Sequence, residues 1–155
     1  MDYFIPFITA FMLSFAAILV FNPIAAKVGL LDLPNERKCH EGAIPLIGGV
    51  SIFFSVLLAS SLFIQESQTL NLYLISASLI LFIGVLDDRY DLSVRVRLVA
   101  QVIVASILIF GAGFYLSSLG DIFYFFEFKL GYVGILVTVI AVIGCINAFN
   151  MVDGI

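Results

Sequence analysis

Three carboxylates and an arginine interrupt a long apolar stretch at GVLDDRYDLS, residues 84–93, where Asp87, Asp88 and Asp91 stand beside Arg89. Adjacent carboxylates repel, and in a half-buried place one of them takes up a proton unless a cation shares the site. A divalent metal, or a metal already bound to phosphate, is the natural partner. Arg95 and Arg97 follow within a few residues, and guanidinium groups in that setting point to anionic ligands as well. A fourth acid, Asp153, comes just after Asn147 and Asn150, while Arg37, Lys38 and His40 lie in another polar segment that leads into Gly42, Gly48 and Gly49.

Carboxylate and amide oxygens are the ligands magnesium prefers, and magnesium usually keeps coordination places for substrate phosphates. Manganese is the alternative metal. Such an ion lowers the barrier to phosphoryl transfer by neutralising charge on the oxygens between donor and leaving group. Nearby Arg and Lys side chains would hold the phosphates in line. A site at a membrane edge suits one lipid substrate and one water-soluble substrate, so the residues alone point to a magnesium-dependent phosphotransferase acting on a lipid phosphate. Plainer roles stand beside these. An acidic pair at a span boundary can simply mark a helix end, with Asp91 or Ser93 capping the next helix. His40 is a lone histidine in a basic loop and can be solvated or structural; Lys38 suits phosphate contact better than base chemistry. Arg95 and Arg97 can snorkel to fix helix ends against headgroups. Gln101 is either an interhelical hydrogen-bond former or a ligand.

The elements that must carry these residues are membrane helices. Of the 155 residues 63% are hydrophobic and 12% charged, with a mean hydropathy of +1.20, far from a soluble domain. The pattern predicts an all-α polytopic membrane protein with five spans, at 3–21, 47–64, 70–86, 98–116 and 130–148. Polar loops are expected at 22–46, with a short interfacial helix, and at 87–97, with a polar stub at 149–155. The aromatic, β-prone run near 121–130 reads as a short interfacial hairpin. The first run lacks the positive n-region of a signal peptide and is too long for one, so it is read as a retained span. Lys27, Arg37, Lys38, Arg89, Arg95 and Arg97 share one side in this scheme and only Lys129 lies on the other. The N-terminus is therefore expected outside and the carboxylate loops in the cytosol. Cys39 and Cys145 have no zinc spacing, and no disulfide is expected.

Three ordered segments carry a family resemblance: PNERKCHEGAIPLIGG at 34–49, GVLDDRYDLSVRVRLVAQ at 84–101 and NAFNMVDGI at 147–155. In order and spacing they resemble the polyprenyl-phosphate N-acetylhexosamine-1-phosphate transferases. The likeness is greatest to the bacterial branch that transfers N-acetylglucosamine 1-phosphate from UDP-N-acetylglucosamine to undecaprenyl phosphate, releasing UMP and initiating O-antigen and enterobacterial common antigen assembly. A branch that primes peptidoglycan has a similar core with a differently spaced first motif. The resemblance implies catalytic roles for Asp87, Asp88 and Asp153, and a metal site drawn from Asp87, Asp88, Asn150 and Asp153. It implies substrate contacts from Lys38, His40, Gly48, Gly49 and Asn150, to which the residues themselves add Arg89, Arg97 and Asn147. Direct attack by the lipid phosphate and a two-step route through an aspartyl intermediate both fit these residues. The expected setting is the bacterial inner membrane, multi-pass, with membrane lipids and a second copy of the chain as partners and no nucleic acid.

The family pattern has an aspartate directly after Ile155, then further spans, a later Gly-Asp metal loop and a His-rich cytosolic loop. The sequence therefore reads as the N-terminal half of a larger helical bundle, expected to be inactive by itself. Two other classes remain in comparison. An ion-coupled transporter would need carboxylates deep within its spans, whereas these acids sit at span ends. A non-catalytic membrane remnant would keep the same motifs. Another UDP-sugar is the alternative within the transferase reading.

Overall fold

The computed structural model describes residues 3–32, 42–120 and 127–153, with the backbone alone for 32, 152 and 153. The chain divides into two compact units, Met1–Ser93 and Val94–Ile155. Among the described residues it is all-α apart from one minimal ribbon and one isolated bridge.

In the first unit α1 spans Phe4–Val28, α2 Gly48–Phe63 and α3 Gln68–Tyr90. Helix α1 continues beyond the apolar run and through Pro23, which removes one internal hydrogen bond without ending the helix. It stops at Gly29, whose φ of 74° needs a residue without a Cβ and whose N–H donates back to the Ala25 carbonyl. Two-residue strands then pair antiparallel, β1 (Leu31–Asp32) with β2 (Ile44–Pro45), in the register Leu31 to Pro45 and Asp32 to Ile44. Leu46 N–H donates to the Leu30 carbonyl at 3.0 Å and extends the ribbon. The segment between the strands thus leaves and returns at one point, between the end of α1 and the start of α2. Its interior, where the short interfacial helix is expected, lies outside the described residues.

Helices α1 and α2 make the most extensive contact in this unit. Ala17 and Ala25 on α1, with Ser51, Ser55 and Ala59 on α2, are buried and recur at multiples of four, which puts a small stripe on each helix. Small stripes let backbones approach closely where lipid supplies no hydrophobic drive between helices. Phe21 and Phe54 close the contact edge to face at 5.8 Å. The serines satisfy themselves in part: Ser55 Oγ donates to the Ser51 carbonyl at 2.6 Å, and Ser60 and Ser61 donate to the Leu57 carbonyl. Helix α3 begins at Ser67, whose hydroxyl accepts the Leu70 N–H at 3.1 Å. Between α2 and α3 runs an apolar groove of about 330 Å³ lined by Gly49, Ile52, Phe53, Leu74 and Leu81 among others.

In the second unit α4 spans Val94–Ser106 and runs on as a π-helical turn, Ile107–Gly111. The helix therefore starts and ends earlier than the apolar run at 98–116. Arg95 and Arg97 do not prevent helix formation, and Gly113, at φ 73°, turns the chain away. The strands expected around 121–130 pair slightly further out: Ser118 bridges Lys129, and Leu119 N–H donates to the Phe128 carbonyl at 3.0 Å. The tip, 121–126, lies outside the described residues. Helix α5 spans Val133–Asp153 and takes in most of the expected polar stub, because no residue from Asn147 to Asp153 breaks a helix.

Leu116 is laid across the first turns of α5. Its N–H donates to Thr138 Oγ1 at 2.8 Å, that hydroxyl donates to the Gly134 carbonyl at 2.6 Å, and the Leu116 carbonyl faces the missing side chain of Gly134.

Large apolar side chains such as Phe7, Phe11, Phe15 and Phe82 are exposed, while the buried positions are mostly small. That distribution suits a lipid solvent. Among the described residues four helices are long and apolar enough to cross a membrane, Phe4–Val28, Gln68–Tyr90, Val94–Gly111 and Val133–Met151. The chain is a multi-pass membrane protein. The second expected span is a shorter helix of 16 residues, Gly48–Phe63.

Candidate active site

Asp87 and Asp88 are not in a loop: they form part of the last turn of α3, and the connection to α4 is only residues 91–93. The last four carbonyls of a helix lack intrahelical partners and give that end a partial negative charge. Two carboxylates there add to a potential that helices normally offset with cations. The pair thus does lie at a helix end, whereas Asp91, read as a cap for the next helix, belongs to the end of this one. Asp91 instead ends α3 in the left-handed region, φ 49°, with its N–H donating to the Asp87 carbonyl at 2.8 Å. Asp87 Oδ1 accepts the Leu92 N–H at 3.0 Å, which fixes that carboxylate to the turn. Asp87 is half-buried and Asp88 exposed.

Arg89 Nη1 donates to the Val28 carbonyl at 2.7 Å, and its guanidinium carbon lies 5.2 Å from the Tyr90 ring centroid. A residue expected to meet substrate therefore caps the C-terminus of α1. This bond across 61 residues joins the end of α1 to the end that carries the acidic pair. Gly48 and Gly49 open α2 just after the ribbon, so the first unit gathers Asp87, Asp88, Arg89, both glycines and both roots of the 33–41 segment at one end. A Cβ on Gly49 would make ordinary contact with Leu81 at 3.5 Å, and one on Gly48 would meet nothing within 4 Å, so packing does not demand either glycine. Lys38 and His40 lie outside the described residues.

Arg89→Met is expected to lower the unfolding midpoint measured in detergent, at a cost of about 1 kcal/mol for an exposed charged hydrogen bond. Arg89→Lys, which can still reach the carbonyl, should recover most of it. An unchanged midpoint for the Met variant would assign Arg89 to ligand alone.

The second unit holds Arg97, Asn147, Asn150 and Asp153. Arg95 and Arg97 occupy the first turn of α4, at the positive end of that helix. Acids at the end of α3 and bases at the start of α4 are both reversed with respect to what the helix dipoles favour. The last turn of α3 also carries Arg89, whose guanidinium is engaged by the Val28 carbonyl. Asn150 is exposed on the final turns of α5, and Asp153 is the last residue of that helix. Asn147 has a committed side chain, because Nδ2 donates to Gln101 Oε1 at 2.9 Å and to the Ile143 carbonyl at 2.8 Å. Gln101 is buried, with 5% of its surface exposed. The sequence signal for this pair was available as one amide in each of two apolar runs. Among the described residues no three His, Cys, Asp or Glu side chains come together. Among the described residues, two carboxylates at the negative end of α3 are oxygen donors of the kind that fit magnesium.

A model described as Glycosyl transferase family 4 matches residues 70–155. The undecaprenyl-phosphate alpha-N-acetylglucosaminyl 1-phosphate transferase of Yersinia pestis is 47% identical over 145 residues, covering 94% of this chain and 40% of its own length. The protein of the same name from Salmonella typhi is 43% identical over 148 residues, covering 96% and 40%. That from Pasteurella multocida is 45% identical over 131 residues, covering 84% and 37%. The chain spans about two fifths of the length of the curated relatives it matches. No solved structure is significantly similar to it.

Proposed function

The chain belongs to glycosyl transferase family 4, and from that premise we propose that it contributes to the transfer of N-acetylglucosamine 1-phosphate from UDP-N-acetylglucosamine to undecaprenyl phosphate. An oxygen of the lipid phosphate bonds to the sugar-bearing phosphorus, the pyrophosphate P–O bond breaks, and UMP leaves. The observation that carries this reading is the reversed charge at the helix ends, Asp87 and Asp88 closing α3 and Arg95 and Arg97 opening α4, in a chain whose relatives bear that transferase name. Magnesium, when bound, neutralises charge on the phosphate oxygens. Asp87, Asp88, Asn150 and Asp153 are its ligand candidates, and the arginines hold phosphate. Lys38, His40, Gly48 and Gly49 supply the remaining substrate contacts. Leu74, Leu81 and Asp88 recur every seven residues, so the groove-lining face of α3 leads to Asp88. That continuity suits a lipid acceptor with its phosphate at the carboxylates. The proposed setting is the bacterial inner membrane with this site cytosolic and the N-terminus outside, in the pathway that starts O-antigen or common-antigen synthesis.

The test uses membranes containing this chain together with any continuation its gene encodes. Release of UMP from UDP-N-acetylglucosamine is expected only with both magnesium and undecaprenyl phosphate present. Release from another UDP-sugar but not from this one would move the assignment to a different branch of the family. Well-folded protein that releases UMP from no UDP-sugar would overturn it.

A further inference from the structure

The pair formed by Gln101 and Asn147 lies outside the charged cluster, yet it constrains what α5 can present. A side-chain amide nitrogen has two hydrogens. Both of those on Asn147 are used, one by Gln101 Oε1 at 2.9 Å and one by the Ile143 carbonyl of its own helix at 2.8 Å. The amide cannot rotate without breaking both bonds, and Gln101 is buried enough that water cannot replace the acceptor it provides. Only the carbonyl oxygen of Asn147, itself a half-buried residue, remains, three residues before Asn150 and six before Asp153 on the same helix. From this geometry we propose that Gln101 is a positioning residue, and that Asn147 meets its ligand solely as an acceptor, through Oδ1. The inference rests on the transferase reading for the identity of the substrates. An acceptor oxygen repels phosphate oxygens and attracts electron-poor groups. Asn147 therefore faces a metal ion or an N–H or O–H of the nucleotide sugar, never a phosphate oxygen. The phosphates fall to the arginines. A buried acceptor on α4 thus sets the polarity of a group on α5, and the two are 46 residues apart in sequence.

The test compares wild type with Gln101→Leu, which removes the acceptor, and Gln101→Glu, which keeps an acceptor oxygen at the same reach. The protein is the chain with any continuation its gene encodes, corrected for folded fraction. Gln101→Leu is expected to raise about tenfold either the magnesium half-saturation, if Oδ1 faces the ion, or the KM for UDP-N-acetylglucosamine at saturating magnesium, if it faces the sugar nucleotide. Gln101→Glu should restore much of the loss. If folded Gln101→Leu keeps both constants at the wild-type value while its unfolding midpoint falls, the pair is structural and the proposal is overturned. Should Gln101→Leu fail to fold, Gln101→Asn, which withdraws the acceptor by one methylene, carries the same expectations. A readout independent of turnover keeps this separate from the transferase reading. With 15N-asparagine labelling, the Asn147 side-chain amide should exchange slowly in wild type and rapidly in Gln101→Leu. If wild type releases no UMP but this protection is present and lost as stated, the lock stands and the substrate assignment falls. Rapid exchange in wild type would overturn the lock.

Discussion

Asp88→Asn is expected to reduce lipid-dependent UMP release by at least about 100-fold, the scale on which removing a group that stabilises transition-state charge acts, while leaving the protein folded. The substitution keeps size and shape and removes one negative charge from the end of α3. Because Asp88 is exposed, the stability change should stay within about 0.5 kcal/mol. Asp87 should behave differently. Its Oδ1 holds the Leu92 N–H at 3.0 Å, so Asp87→Ala loses both the charge and the bond that fixes the turn, and is expected to lower the unfolding midpoint as well as activity. Asp87→Asn restores an acceptor oxygen and should recover the midpoint without recovering turnover. Measuring UMP release and unfolding on the same preparations separates the two carboxylates. An Asp88→Asn variant with near wild-type turnover would remove this residue from the chemistry.

The second large effect is on folding. Gly134→Ala would place a Cβ against the Leu116 carbonyl oxygen, with the Leu116 carbonyl carbon at 3.1 Å and Leu130 Cβ at 3.3 Å. Helix propensity favours alanine over glycine by up to about 1 kcal/mol. Overpacking against backbone costs about 1–3 kcal/mol or more, because backbone cannot swing away like a flexible side chain. The clash also pries Leu116 from Thr138, whose hydroxyl it holds at 2.8 Å. The net expectation is a loss of about 2 kcal/mol, read as a lower unfolding midpoint in detergent. Gly144→Ala on the same helix is the control, since a Cβ there meets nothing within 4 Å; it should be neutral or slightly stabilising. Equal midpoints for the two variants would mean that Leu116 does not pack against Gly134.

What the sequence revealed and what it hid follow from the range of the interactions. Helix existence was legible because long apolar runs leave few alternatives. Helix ends were not: Asn22, Pro23 and Asp87 looked like boundaries, yet polarity does not end a helix, and Gly29, Asp91 and Gly113 did so through backbone conformation. The acidic pair was found from adjacency, and the apolar run already put it after the C-terminal end of a span; that the helix continues through it to Tyr90 was not legible, because nothing in its polarity says where the helix stops. The Arg89 bond to Val28 carries no sequence signal, since its acceptor is a backbone carbonyl that any residue would supply. Gln101 and Asn147 were each visible as lone amides in apolar runs, though nothing in their spacing said that they meet.

The brevity of α2 affects the membrane itself. At 1.5 Å per residue it rises about 24 Å, against about 37 Å for α1 and 34 Å for α3, and a hydrocarbon core measures about 30 Å. A hydrophobic stretch shorter than the core is met by local thinning of the bilayer, by flanking side chains reaching to the interface or by association with other segments, at a modest elastic cost for each ångström. Where thinning is the response, the headgroup plane moves inward at the rim where α2 begins and α3 ends, so the shortness of one helix sets the depth of that rim in the bilayer.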